Sequence, residues 1–240
     1  MLLGVAARPT SGARAHPCRA AVPGGHGDTL TPVAVAVPAS APAAFGQAAA
    51  ALLAARPRPD VVLREVAAPS RVAPHAVALG AELVALGADE DDEPLASGRF
   101  VVLHDPAEQE GWEGPTRVVL FLRGEVEAEM ARDPLLADVV WSWVTEALAG
   151  HGARAHAAGG TVTTTASRRF GVLRDSGDER CEVEVRCSWT PEQTGAEDAA
   201  LAQALLAHLG AFCDALGAVA GVPPVDPSVT ALWPRALQHR

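Results

Sequence analysis

His104 and Asp105 form an adjacent pair able to do acid–base chemistry or to hold a metal. They close an apolar run, residues 99–104, that reads as a strand. Neighbours on a strand point to opposite faces, which leaves Asp105 badly placed to orient His104. Asp105-Pro106 also has the form of a turn opener, so a structural role outweighs a catalytic one. Trp112 lies in a loop between Gly111 and Gly114. A large aromatic there either plugs the edge of a core or lines a binding surface, and the two readings stand level. Trp141, at the margin of a helical apolar sector, raises the same question.

A second constellation is charged. Arg123, Glu125, Glu127 and Glu129 alternate with apolar residues, as do Glu182, Glu184 and Arg186. If the two strands are neighbours, the carboxylates could bind a divalent cation or a basic partner. A solvated face laced with cross-strand ion pairs is the commoner outcome. The acidic run Asp89 to Glu93 lacks calcium-loop spacing and reads as a solvated loop. Cys181 and Cys187 share a strand face but stand ~20 Å apart, too far for one disulfide or one metal. His208 sits beside a helical apolar stripe with no partner at ligand spacing. The sequence holds no H-E-x-x-H, G-x-S-x-G, G-x-G-x-x-G or Walker A pattern. No metal and no cofactor are expected. The candidate binding surface is His104, Asp105, Trp112, Arg123 and Glu125; no residue is assigned as catalytic, and the balance leans against an enzyme.

Composition narrows the chemistry. The chain has 240 residues, of which 50 are Ala, and contains no Lys, Tyr, Ile or Asn. Without Lys there is no Schiff base, no pyridoxal-phosphate anchor and no P-loop lysine. The net charge is −10, which disfavours direct nucleic-acid binding. The four cysteines form no C-x-x-C pair and read as reduced thiols in a cytoplasmic protein. No targeting signal and no run of ~18 apolar residues is present, so no membrane contact is expected.

The elements that must position these residues follow from periodicity. Residues 1–42 are rich in Ala, Pro and Gly and read as a disordered tail or a start codon called too early. One domain spans 43–224, with a loose tail over 225–240. Helices are expected over 43–56, 133–149 and 197–220, and strands over 61–66, 77–86, 99–104, 118–130, 161–166 and 181–189. Gly124 marks a bulge or bend. Asp133-Pro134 supplies an N-cap and a first-turn proline. Asp175 to Asp178 reads as a hairpin turn. The apolar sector of the second helix is wide enough to touch two elements, whereas that of the last helix is a narrow stripe through Leu201, Leu205, Leu209, Phe212, Leu216 and Val219. Strands in consecutive runs with few helices between them give an α+β fold with a mainly antiparallel sheet of about six strands and three helices.

Several segments, taken in order, resemble one family. They are Leu103 to Pro106, Trp112 with Gly114, Asp133 to Leu136 leading into Trp141-Ser142-Trp143, Gly160 to Thr163, Ser188 to Pro191 and Gly221 to Pro224. Together, over about residues 43–224, they are similar to the actinobacterial family catalogued as domain of unknown function three thousand. That resemblance implies an uncharacterised role in a bacterial cytosol. It also implies genes beside a ribonuclease-D-like exonuclease and haem-synthesis enzymes, hence an accessory role in one of those pathways. The residues themselves favour a non-enzymatic module that binds a protein partner. The rival reading is an enzyme or small-ligand binder at the His104 strand end.

Overall fold

The computed structural model describes residues 42–85, 92–172, 179–193 and 198–222. The tail expected over 1–42, apart from Pro42, the tail over 225–240, the hairpin tip at 175–178 and Asp89 to Asp91 lie outside them. The element order is α1 (Ala43–Ala54), β1 (Val61–Glu65), β2 (His75–Leu83), β3 (Ala96–His104), β4 (Thr116–Val126), α2 (Ala128–Ala131), α3 (Leu136–Gly150), β5 (Ala155–Arg168), β6 (Glu179–Pro191) and α4 (Asp198–Val219). All six strands form one antiparallel sheet in the order β1-β2-β3-β4-β6-β5. The fold is α+β, with one more helix than the sequence suggests.

That extra helix has a clear cause. The alternation that begins at Val118 runs on to Met130, but pairing with β6 stops at Val126. Ala128–Ala131 then turns as a single helical turn. Glu and Ala favour helix, and no partner strand remains to hold the extended form. Asp133 likewise acts one turn early. Its carboxylate accepts the Leu135 N–H at 2.9 Å and its carbonyl accepts the Leu136 N–H at 3.1 Å, so it shapes the turn that leads into α3.

The core lies on one face of the sheet. Leu79 of β2, Phe100 and Val102 of β3, Leu120 and Leu122 of β4, and Val183, Val185 and Trp189 of β6 meet Leu205, Leu209, Phe212 and Leu216 of α4. Helix α4 crosses this face with α1 and α3 packed against it on either side. Its burial is broader than a stripe. Ala211, Cys213 and Ala215 are buried as completely as the leucines, because small side chains let α1 and α3 approach closely. Ala199–Val219 is long and apolar enough to cross a membrane, yet here it is the central core helix. Gly124 makes no bulge; its register with β3 and β6 is regular. A Cβ there would stand 2.8 Å from Val219 Cγ1, so the glycine leaves room for the end of α4 against β4.

The opposite face carries a smaller core. Ala78, Val101 and Leu103 are buried beneath Val66, Ala68, Ala73 and Trp112. The chain segments after β1 and between β3 and β4 fold over this end of the sheet to make that cover.

Candidate functional site

His104 is buried, 9% exposed, on the helix side of β3. Its Nδ1 pairs with the Thr116 hydroxyl at 2.9 Å, and the Phe45 ring of α1 stacks on it at 5.3 Å. Burial pushes its pKa below the usual histidine value; the facing His75 adds to this and Asp105 opposes it. Asp105 is directed elsewhere. Its carboxylate accepts the Ala107 N–H at 3.0 Å and the Gln109 amide at 3.1 Å, and these bonds hold it below the usual carboxylate range. Trp112 is half-buried over the smaller core, and its carbonyl accepts the Thr190 hydroxyl. The structure therefore does not bring His104, Asp105 and Trp112 around one open space.

Arg123 and Glu125 do meet the β6 charges. Strand β4 lies beside β6, with Arg123 opposite Glu184 and Glu125 opposite Glu182. Arg123 bonds Glu182, Arg180 bonds Glu125 and Glu182, and Arg186 bonds Glu184 at 2.9 Å. Each of these carboxylates is thus matched by an arginine across or along the strands. Among the described residues no group of three or more His, Cys, Asp or Glu has the arrangement of a metal site.

The concave site with converging polar groups lies between α3 and α4. A cleft of about 540 Å³ is lined by Trp143, Glu146, Ala147, Gly150 and His151 on one side, and Asp214, Ala218, Gly221 and Val222 on the other. Both helices bring their carboxyl-terminal ends to it. Helix α3 closes in a turn where Gly152, at φ 61, lets the Ala153 N–H reach the Leu148 carbonyl at 2.9 Å. Helix α4 closes the same way around Gly221, with the Val222 N–H on the Gly217 carbonyl at 2.8 Å. Neither helix has a basic residue in its last turn, so the partial negative charge of both ends is uncompensated from within the helix.

A chain of charges runs behind this lining. Arg58, 3% exposed at its side chain, grips Asp60 with two bonds of 2.9 and 2.6 Å and Asp214 with one of 3.0 Å. The other oxygen of Asp214 meets His151 Nε2 at 2.7 Å. Arg58 draws the Asp60 carboxyl below its usual range, and Asp60 foremost raises Arg58. Two glycines of α4 make room for this chain. A Cβ on Gly210 would fall 2.6 Å from His151 Nδ1, and one on Gly217 would fall 2.6 Å from an Arg58 nitrogen.

The dyad of His151 and Asp214 is thus satisfied internally, with the imidazole edge laid on the helix at Gly210. Glu146 differs: among the described residues it makes no ion pair. The chemistry on offer is a carboxylate beside an indole in an apolar, electronegative cleft. That suits a cation better than an anion. Sequence reading misses Arg58, His151 and Asp214 because they stand 63 to 156 positions apart from one another. The one local signal is the pair of glycines seven residues apart inside an otherwise good helix.

A family model described as "Protein of unknown function (DUF3000)" matches residues 41–230. No curated protein and no solved structure matches the chain.

Proposed function

We propose that this chain, which belongs to the DUF3000 family, is a protein-binding module whose α3–α4 cleft receives an arginine side chain of a partner protein. The carrying observation is that Trp143 and Glu146, which makes no ion pair among the described residues, line the same cleft as Asp214 and two helix carboxyl-terminal ends. A guanidinium there gains a carboxylate partner and an aromatic surface, while Ala147, Ala218 and Val222 cover its aliphatic stem. Bound Arg58 and His151 already satisfy Asp214, so Glu146 supplies the attraction that is left. Cys181, Cys187 and Cys213 are free and buried, which supports a reducing, cytoplasmic setting.

The test is titration of the isotopically labelled protein with N-acetyl-argininamide and, separately, N-acetyl-leucinamide, followed by indole N–H resonances. The expected result is a shift of the Trp143 signal with the arginine probe alone, abolished by Glu146→Gln. Equal response to both probes, or none, overturns the reading. An equal response to free amines of small-molecule size would favour the small-ligand alternative instead.

A further inference from the structure

His75 stands opposite His104 across β2 and β3, with ring centroids 6.1 Å apart and the ring planes tilted by 34°. Thr116 stands opposite His104 on its other flank, on β4. The 2.9 Å bond between His104 Nδ1 and the Thr116 hydroxyl therefore turns that edge of the ring towards β4 and leaves the Nε2 edge on the side of His75. Among the described residues His104 Nε2 makes no hydrogen bond. His75 Nδ1 is buried and also has no hydrogen-bond partner. Buried ring nitrogens left bare are costly and rare in folded proteins.

The spacing of the rings fits one way of satisfying both. An imidazole nitrogen lies ~1.1 Å from its ring centroid, so nitrogens facing each other across this gap stand ~4 Å apart, too far for a direct hydrogen bond. That is twice a metal–imidazole bond of ~2 Å, with the metal nearly in line between the two rings. Coordination by two imidazoles nearly in line suits copper(I), and the surroundings agree with a low coordination number. No third His, Cys, Asp or Glu joins the pair among the described residues. The Phe45 ring lies 5.9 Å from His75 and 5.3 Å from His104, which leaves little space for the further ligands of a tetrahedral zinc. The Asp105 carboxylate is bonded within its own turn, so a dication would be buried without a close balancing charge. Burial keeps His104 neutral, the form that binds a metal, and the Thr116 bond holds its ring as such bonds hold metal-bound histidines.

We propose that His75 and His104 hold one copper(I) ion between them, through His75 Nδ1 and His104 Nε2. The site is separate from the α3–α4 cleft and stands or falls independently of it. A water in the gap would satisfy the same nitrogens but would take up no copper.

Titration of the full chain with copper(I) in the absence of oxygen, against the coloured competitor bicinchoninate, tests this together with X-ray absorption on the product. The expected result is one equivalent bound, with two nitrogen neighbours at about 2 Å. Cys181, Cys187 and Cys213 are buried, and Cys18→Ser, which removes the remaining thiol, should leave the uptake unchanged. His75→Gln and His104→Gln should each abolish it while circular dichroism still reports a folded chain. Thr116→Val keeps both ligands and should weaken binding by about tenfold. The absorption spectrum is recorded on the unaltered chain, so a variant that fails to fold does not remove the test. No uptake, sulfur neighbours in the spectrum, zinc(II) bound as tightly as copper(I), or uptake that survives both histidine substitutions would overturn the proposal.

Discussion

His75 and His104 stand directly opposite each other on β2 and β3, on the helix side of the sheet, with ring centroids 6.1 Å apart under the ring of Phe45. Thr116 and the turn carboxylate Asp105 are the polar groups beside His104. The folded protein holds His104 neutral because its pKa is depressed, chiefly by burial. The unfolded chain takes up a proton as pH falls through about 6.5, while the folded one does so only at a lower pH. Stability from this group is therefore complete above that value and is lost as pH falls towards the folded pKa. Urea denaturation at pH 7.5 and 5.5 should show a smaller loss on acidification for His104→Gln than for the wild type.

The second buried histidine gives a wider window. His208 is fully buried; its Nδ1 accepts the Trp189 indole N–H at 3.1 Å, and burial pushes its pKa down to about 4. Its Nε2 makes no hydrogen bond, although the Arg154 backbone pulls the pKa upward. The same sign applies: stability falls as pH drops from about 6.5 to about 4, by on the order of 3 kcal/mol. In a nuclear magnetic resonance titration, the His208 ring should change only slightly between pH 7 and 5, with the main change nearer pH 4. Trp189→Phe strands Nδ1 and should cost about 1–3 kcal/mol in thermal denaturation.

Helix propensity and packing make opposite predictions at Gly210 and Gly217. Alanine in a helix interior normally adds ~1 kcal/mol over glycine. Here a Cβ would intrude to 2.6 Å on His151 and on Arg58. Gly210→Ala and Gly217→Ala should each lower the melting temperature, and a rise for either would mean that the facing side chain moves aside freely.

The pair Arg58 and Asp60 is buried, so removing the Asp60 charge takes from the guanidinium the carboxylate that binds it twice and leaves Asp214 to hold it by one bond. Asp60→Asn should destabilise by about 3 kcal/mol or more in chemical denaturation. Glu146→Gln, on the open side of the cleft, should leave stability within about 0.5 kcal/mol of the wild type. That contrast separates the charges that hold the fold from the carboxylate that the proposed function assigns to an arginine.

The sheet was legible because β4 and β6 alternate cleanly and because Pro or Gly closes most elements. What was not legible came from contacts the sequence does not order. The pattern through Glu127 and Met130 continues past the point where β6 stops pairing, and only the register shows it. The width of α4 burial was hidden in alanines and a cysteine, which mark no stripe yet decide how near α1 and α3 can come. At the candidate site, His104 and Asp105 drew notice by adjacency, while the cleft is lined by two separate segments, 143–151 and 214–222, with a third, at Arg58, behind them. Arg123 and Glu125 could be placed among the β6 charges because both strands carry the same alternation.

The placement of α4 bears on how the protein is made. Every strand that contributes to the main core turns its apolar face towards this helix, and α4 is the final regular element of the described chain. During synthesis the strands leave the ribosome before their cover does. The nascent sheet must then wait, with Phe100, Leu120, Leu122 and Val185 facing water, until residues 198–219 arrive. Closure of the main core waits on residues 198–219, and a chain stalled before α4 is an apolar sheet without its central cover, the kind of species that chaperones bind and that otherwise aggregates.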